Sequence, residues 1–93
     1  MDITYDTNKN TRNIAERGLS FDRVADFDFD TAMFAIDDRI HYNETRIVAT
    51  GYLDSRLHVL CFVETASGIR VISFRKANSR EVKHHDSQKT TDG

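Results

Sequence analysis

The sequence predicts an α+β fold: a small antiparallel meander covered by helices, in the order β-α-α-β-β-β-β-α. Three observations carry this. Short stretches rich in β-branched and aromatic residues alternate, or run apolar without a break, between turn formers. Two helical stretches near the start each open on a capping residue. After residue 46 the strands follow one another at hairpin spacing, with no room for a crossover helix. A chain of 93 residues makes one domain, placed at residues 1–85, with the apolar-free tail 86–93 expected to be disordered. Such a chain buries roughly 60–65% of its unfolded surface, so its core is small and a surface site is favoured over an internal cavity.

Ile3-Thr4-Tyr5 forms the first strand. Asp6 caps a helix over residues 7–17, since its carboxylate can accept from the free N–H groups of the first turn, and Gly18 supplies the left-handed turn that ends it. Ile14, Ala15 and Leu19 are its few apolar positions and predict packing on the sheet by a narrow stripe. Ser20 caps a second, short helix, with Asp22 suited to its dipole. Phe21, Val24, Ala25 and Phe29 lie at helical spacing and predict one buried face. Residues 32–36 form a strand and residues 37–45 a polar loop. Strands follow over residues 46–52 and 56–65, joined by the tight turn Asp54-Ser55. The second of these is apolar on both faces, as a central strand should be. Ala66-Ser67-Gly68 turns into the last strand, residues 69–76. Asn78 or Ser79 caps a third helix, residues 80–85. A parallel neighbour for the first strand is left open by the sequence.

No stretch approaches the roughly 18 apolar residues of a membrane span, and the N-terminus shows no secretory pattern. Cys61, the single cysteine, cannot make an internal disulfide and fits a buried strand position in a reducing cytoplasm. The net charge is −2, yet it is unevenly spread. Residues 22–38 carry six acids and one base. Residues 69–85 carry five bases (Arg70, Arg75, Lys76, Arg80 and Lys83) and one acid, Glu81. A basic face of that kind can hold phosphates; a solvated, internally paired surface is the plainer reading.

His41, His58, His84 and His85 show neither an i,i+4 pair nor HExxH, so no metal site or cofactor is expected. His84 and His85 would point about 100° apart on a helix, and His58 alternates with apolar neighbours as a structural histidine does. No nucleophile motif or glycine-rich phosphate loop is present. A third option is RNA cleavage without a metal, in which the substrate 2′-hydroxyl is the nucleophile. The protein then supplies a proton acceptor, a proton donor and cations around the phosphate. Arginine suits the last task because its planar fork holds two phosphate oxygens and stays charged.

The catalytic candidates are Glu44, Arg46, Arg75, Arg80 and His85, with Arg56, Lys76 and Lys83 as RNA-binding cations. Glu44 and Glu81 read equally as ion-pair partners. Strand parity puts Arg75 on one face with Ile69, Val71 and Ser73, and Lys76 on the other with Arg70, Ile72 and Phe74.

Three stretches carry a family resemblance. Tyr5-Asp6-Thr7-Asn8-Lys9 leads to Asn13, Gly18, Ser20 and Phe21. Asp37-Asp38-Arg39 leads to Tyr42, Glu44, Arg46 and Gly51. Ile69-Arg70-Val71-Ile72-Ser73 leads to Arg75-Lys76-Ala77-Asn78 and Arg80-Glu81. In their order and spacing they resemble the BrnT toxins of type II toxin–antitoxin pairs. The resemblance implies a RelE-like ribonuclease fold, RNA cleavage that halts translation and growth, and a BrnA-like ribbon–helix–helix antitoxin through which alone the toxin would meet operator DNA.

The chain departs from the family pattern at three places. Glu16-Arg17 stands where Lys-His is common, Asn43 where glycine is common, and His84 and His85 where a tyrosine is common. The alternative to a ribonuclease is a non-catalytic or degenerate module that only pairs with a DNA-binding antitoxin. Arginines gathered on one rim would favour the enzyme, and scattered ones the module.

Overall fold

Asp6 and Gly18 act as the sequence predicts. In the computed structural model, which describes residues 1–38 and 43–90 (the last two by backbone alone), the Asp6 carboxylate accepts from the N–H groups of Asn8 and Lys9 at 2.8 and 3.1 Å. Gly18, at φ 64°, donates its N–H to the Ile14 carbonyl. Between them lies helix α1, Thr7–Arg17, which follows strand β1, Asp2–Tyr5.

The expected apolar stripe on α1 is overturned. No residue of α1 is buried, and Ile14 is 47% exposed. Two asparagines attach the helix instead. Asn10 accepts from the Phe21 N–H, and the Asn13 amide donates to the carbonyls of Leu19 and Phe74, each at 2.9 Å. Buried backbone groups must be paired, and side-chain amides do that here where apolar residues are too few to hold a helix.

After Ser20, whose hydroxyl accepts from the Asp22 N–H, comes a 3-10 helix, Phe21–Asp26. Its three-residue turn eclipses positions i and i+3, so Phe21, Val24 and Phe27 are the buried residues. Ala25, expected inside on a 3.6-residue period, is exposed.

Strands β2 (Met33–Ile36), β3 (Ile47–Leu53), β4 (Arg56–Glu64) and β5 (Gly68–Lys76) follow, then helix α2, Ser79–Thr90. The sheet has five strands in the order β1-β5-β4-β3-β2. Strands β2 to β5 form the antiparallel meander, and β1 lies parallel to β5, so the sheet is mixed. Both residues of the β3–β4 turn, Asp54 and Ser55, have positive φ (51° and 65°), as the mirror-image hairpin turn requires. The loop between β2 and β3, expected over residues 37–45, includes residues 39–42, which lie outside the described part with Arg39, His41 and Tyr42. Helix α2 continues past its expected end at residue 85, into the stretch expected to be disordered.

The main core lies on one face of the sheet. Phe74, Leu60 and Val71 are sealed there beneath Leu19, Phe21, Val24 and Phe27. Gly51 makes room for this cover, since a Cβ there would stand 2.8 Å from the Phe27 ring. The opposite face holds a smaller cluster, Leu57, Val59 and Ala77, with Val48, Tyr52 and Val82 packed against it. Cys61 is buried in β4 and forms no disulfide.

One irregularity decides which residues face which way. Along β4 and β5, Cys61 pairs with Ser73 but Phe62 with Val71. Ile72 is therefore an extra residue in β5, a β-bulge. It reverses the parity of the rest of the strand. Phe74 joins Ile69 and Val71 in the main core, and Arg75 turns to the α2 face. The sequence-based face assignment of Arg75 and Lys76 is thereby corrected: Arg75 shares the face of Arg70, and Lys76 the other.

Candidate functional site

The α2 face of the sheet is only partly covered, and its arginines come from three places in the chain. Arg46 immediately precedes β3, Arg70 and Arg75 lie in β5, and Arg80 lies on the exposed first turn of α2. Glu44 ties the first pair together. Its carboxylate accepts from Arg70 Nη2 at 2.6 Å and lies 3.7 Å from Arg46 Nε. Val63 pairs with Arg70 and Val59 with Arg75. The two arginine rows are therefore four positions apart along β4, about 13 Å along the strand.

At the other row Arg75 forms a two-pronged bond to Glu81, at 2.8 and 2.9 Å. Glu81 also caps its helix: its carboxylate accepts from the Asn78 N–H, and its own N–H donates to the Asn78 side chain. This reciprocal box starts α2 and chooses Asn78 over Ser79 as the cap. The Arg75 fork is the main reason that the Glu81 carboxyl is held down at about 2, with the Asn78 N–H adding to it. Glu81 thus stays ionised beside the Arg75 fork well below the usual carboxylate range.

Between α2 and strands β2 and β3 runs an open groove of about 690 Å³, with Arg80, Glu81, His84 and Gln88 along its helical side and Met33, Ala35, Val48 and Thr50 along the sheet. His85 lies at its base, 2% exposed, with its ring edge-on to Tyr52 at 5.6 Å. Arg80 makes no ion pair among the described residues.

The sequence-derived candidates thus divide. Glu44, Arg46, Arg75, Arg80 and His85 lie on the α2 face. Lys83 is exposed on α2 itself. Arg56 and Lys76 are exposed at the end of the sheet on the opposite face, where both lie near His58. His58 is the structural histidine its pattern suggests: it is 3% exposed, with Nδ1 bonded to the Arg56 carbonyl at 2.8 Å. Burial pushes its pKa down, and the charges of Lys76 and Arg56 add to that against the Arg56 carbonyl.

Sequence reasoning missed Arg70 as part of the site, although it stands in a quoted motif, because only the strand register brings it to Glu44. It also missed Thr50 and Met33, which carry no signal of their own. Among the described residues no group of three or more His, Cys, Asp or Glu could hold a metal ion, and no described helix is long and apolar enough to cross a membrane.

No curated protein matches the chain. The sequence model of the BrnT family, described as the ribonuclease toxin of a type II toxin–antitoxin system, matches residues 5–81. That span runs from the end of β1 to the Glu81 cap, through both arginine rows, and the chain belongs to the BrnT family of ribonuclease toxins.

Proposed function

We propose that this chain is a RelE-like, metal-independent endoribonuclease that acts in the cytoplasm, stops translation, and is neutralised by a BrnA-like ribbon–helix–helix antitoxin, through which it meets operator DNA. The observation that carries this reading is the gathering of Arg46, Arg70, Arg75 and Arg80 on one open face, from segments far apart in sequence. The extra negative charge of a phosphate under attack is the thing such a face would stabilise.

In this reading the substrate 2′-oxygen attacks the adjacent phosphorus, the bond to the 5′-oxygen breaks, and a 2′,3′-cyclic phosphate and a 5′-hydroxyl result. One group must take the 2′ proton and another must give a proton to the leaving oxygen. This reading assigns proton transfer to Glu44, between two arginines, or to a histidine of α2, His84 or His85; histidine is the side chain that exchanges protons near neutrality. Lys83 adds charge for the RNA strand. The spacing of about 13 Å between the arginine rows spans more than one nucleotide, so both rows can hold one strand.

A second reading has its own observation. Arg70 and Arg75 are already matched by Glu44 and Glu81, as they would be in a module that only pairs with its antitoxin. The test is cleavage of a long RNA by the purified chain, freed of any partner, in excess EDTA. Cleavage, with Arg75→Ala folded and inactive, is the expected result. A folded wild type that leaves RNA uncut, alone and on ribosomes, establishes the binding module instead.

A further inference from the structure

We propose that the groove between α2 and strands β2 and β3 is a nucleobase site, which seats one base of the RNA beside the arginines and so sets where the strand is cut. The inference rests on the ribonuclease reading and adds to it the part of the substrate that the phosphate contacts leave out.

The first observation is His85. Its side chain is almost wholly buried, yet among the described residues neither ring nitrogen has a hydrogen-bond partner. The nearest charged oxygen, on exposed Asp86, is 3.9 Å from Nδ1, too far for a hydrogen bond. Buried polar atoms without partners are rare and costly, and each asks for an explanation. A neutral imidazole offers one donor and one acceptor. The ring torsion of histidine is broad, so a turn of the ring presents a nitrogen to the groove that His85 lines.

The second observation is the make-up of that groove. Met33, Ala35 and Val48 form an apolar wall, Thr50 adds a hydroxyl, and Arg80 stands at the rim without an ion pair among the described residues. At about 690 Å³ it is of the size that small ligands fill. A phosphate needs no apolar wall, and an aliphatic ligand would leave His85 and Thr50 unanswered. A nucleobase has flat apolar faces and an edge of donors and acceptors, and proteins that read single-stranded RNA use both. The phosphate on the same nucleotide would meet Arg80.

The test is an NMR titration of the isotope-labelled full chain with the four nucleoside 3′-monophosphates, and with ribose phosphate as the base-free control. The expected result is a shift of the His85 ring signals and of the Met33 and Val48 methyls with at least one nucleotide, and none of these with ribose phosphate. His85→Phe keeps a ring against Tyr52 and removes both nitrogens. It should weaken that nucleotide about tenfold, the worth of one lost hydrogen bond, and leave ribose phosphate binding as it was. Thr50→Val, nearly the same shape, should fold normally and weaken it by less.

Shifts at Arg75 and Arg80 alone, equal for all five ligands, would overturn the proposal while leaving the nuclease reading intact. Equal nucleotide binding by folded His85→Phe would do the same. Groove shifts produced by the antitoxin and by no nucleotide would give the groove to the protein partner and overturn it too. A base bound in the groove of a chain that cuts no RNA would uphold the site and sink the nuclease.

Discussion

The two faces of the sheet are built on opposite terms. One is closed by aromatic and aliphatic side chains, with Phe27 set edge-on against Phe29 and Phe74 and Leu60, Val24 and Phe74 without exposed surface. The other carries a small apolar cluster with the Arg75–Glu81 pair beside it, the Glu44 pairs with Arg46 and Arg70 further along, and a buried histidine whose ring nitrogens have no partner among the described residues. The difference teaches that in so short a chain one face holds the fold and the other is released for work. Stability and function can then be damaged separately.

The largest effect should come from breaking the closed face. Phe74→Ala removes a ring from the centre of the core and should cost about 3–5 kcal/mol, read from urea unfolding. A loss under 1 kcal/mol would mean that the two faces are not so unequal. Gly51→Ala comes next, at about 1–3 kcal/mol, because the added methyl meets Phe27 and Ala32 at 2.8 and 2.9 Å. A rise in Tm would show that the cover shifts at no cost.

Glu81→Gln acts on the open face and should cost less, about 1–2 kcal/mol, since the fork it breaks is partly solvated. Its pH signature is distinctive. The carboxyl lies near 2 in the folded chain against an ordinary value of 4.5, so its contribution is present above about 4.5 and disappears as pH falls from there toward 2. His58 acts earlier. Its pKa is lowered by folding from 6.5, so the unfolded chain takes up that proton first and stability declines as pH drops below about 6.5. Glu81→Gln should flatten only the acidic part of this curve. The same curve for wild type and variant below pH 4.5 would show that the fork contributes nothing.

The smallest effect on stability is the most telling about function. Arg80→Ala should leave unfolding within about 0.5 kcal/mol of wild type and lower RNA cleavage about tenfold to a hundredfold. Cleavage at the wild-type rate would remove Arg80 from the site.

Much of the closed face was legible in the residues themselves, and the reason is locality. Asp6, Gly18 and Ser20 act on groups within a few positions, and the apolar run of β4 announces a central strand whatever its neighbours are. What escaped depends on distant partners. Asn13 looks like a polar helix residue until the Phe74 carbonyl arrives beside it. The 3-10 period of Phe21, Val24 and Phe27 differs from a helical one by less than a residue per turn. On the open face the arginines and Glu44 were readable as types, but their grouping was not. Ile72 gives no sign in the sequence that it is the extra residue, and without it Arg75 is assigned to the wrong side.

The pairing of β1 with β5 has a consequence in time. The first strand of the chain finds its partner only in the last: Thr4 bonds to the Ile69 carbonyl across 65 positions. Contacts of such long range form slowly, because the loop between them must be closed first. They also arrive late in synthesis. A chain cut short before residue 68 has no partner for β1, no carbonyl of Phe74 for Asn13 to hold, and neither Arg70 nor Arg75. In the ribonuclease reading, fold and site are thus completed by the same last strand of the chain.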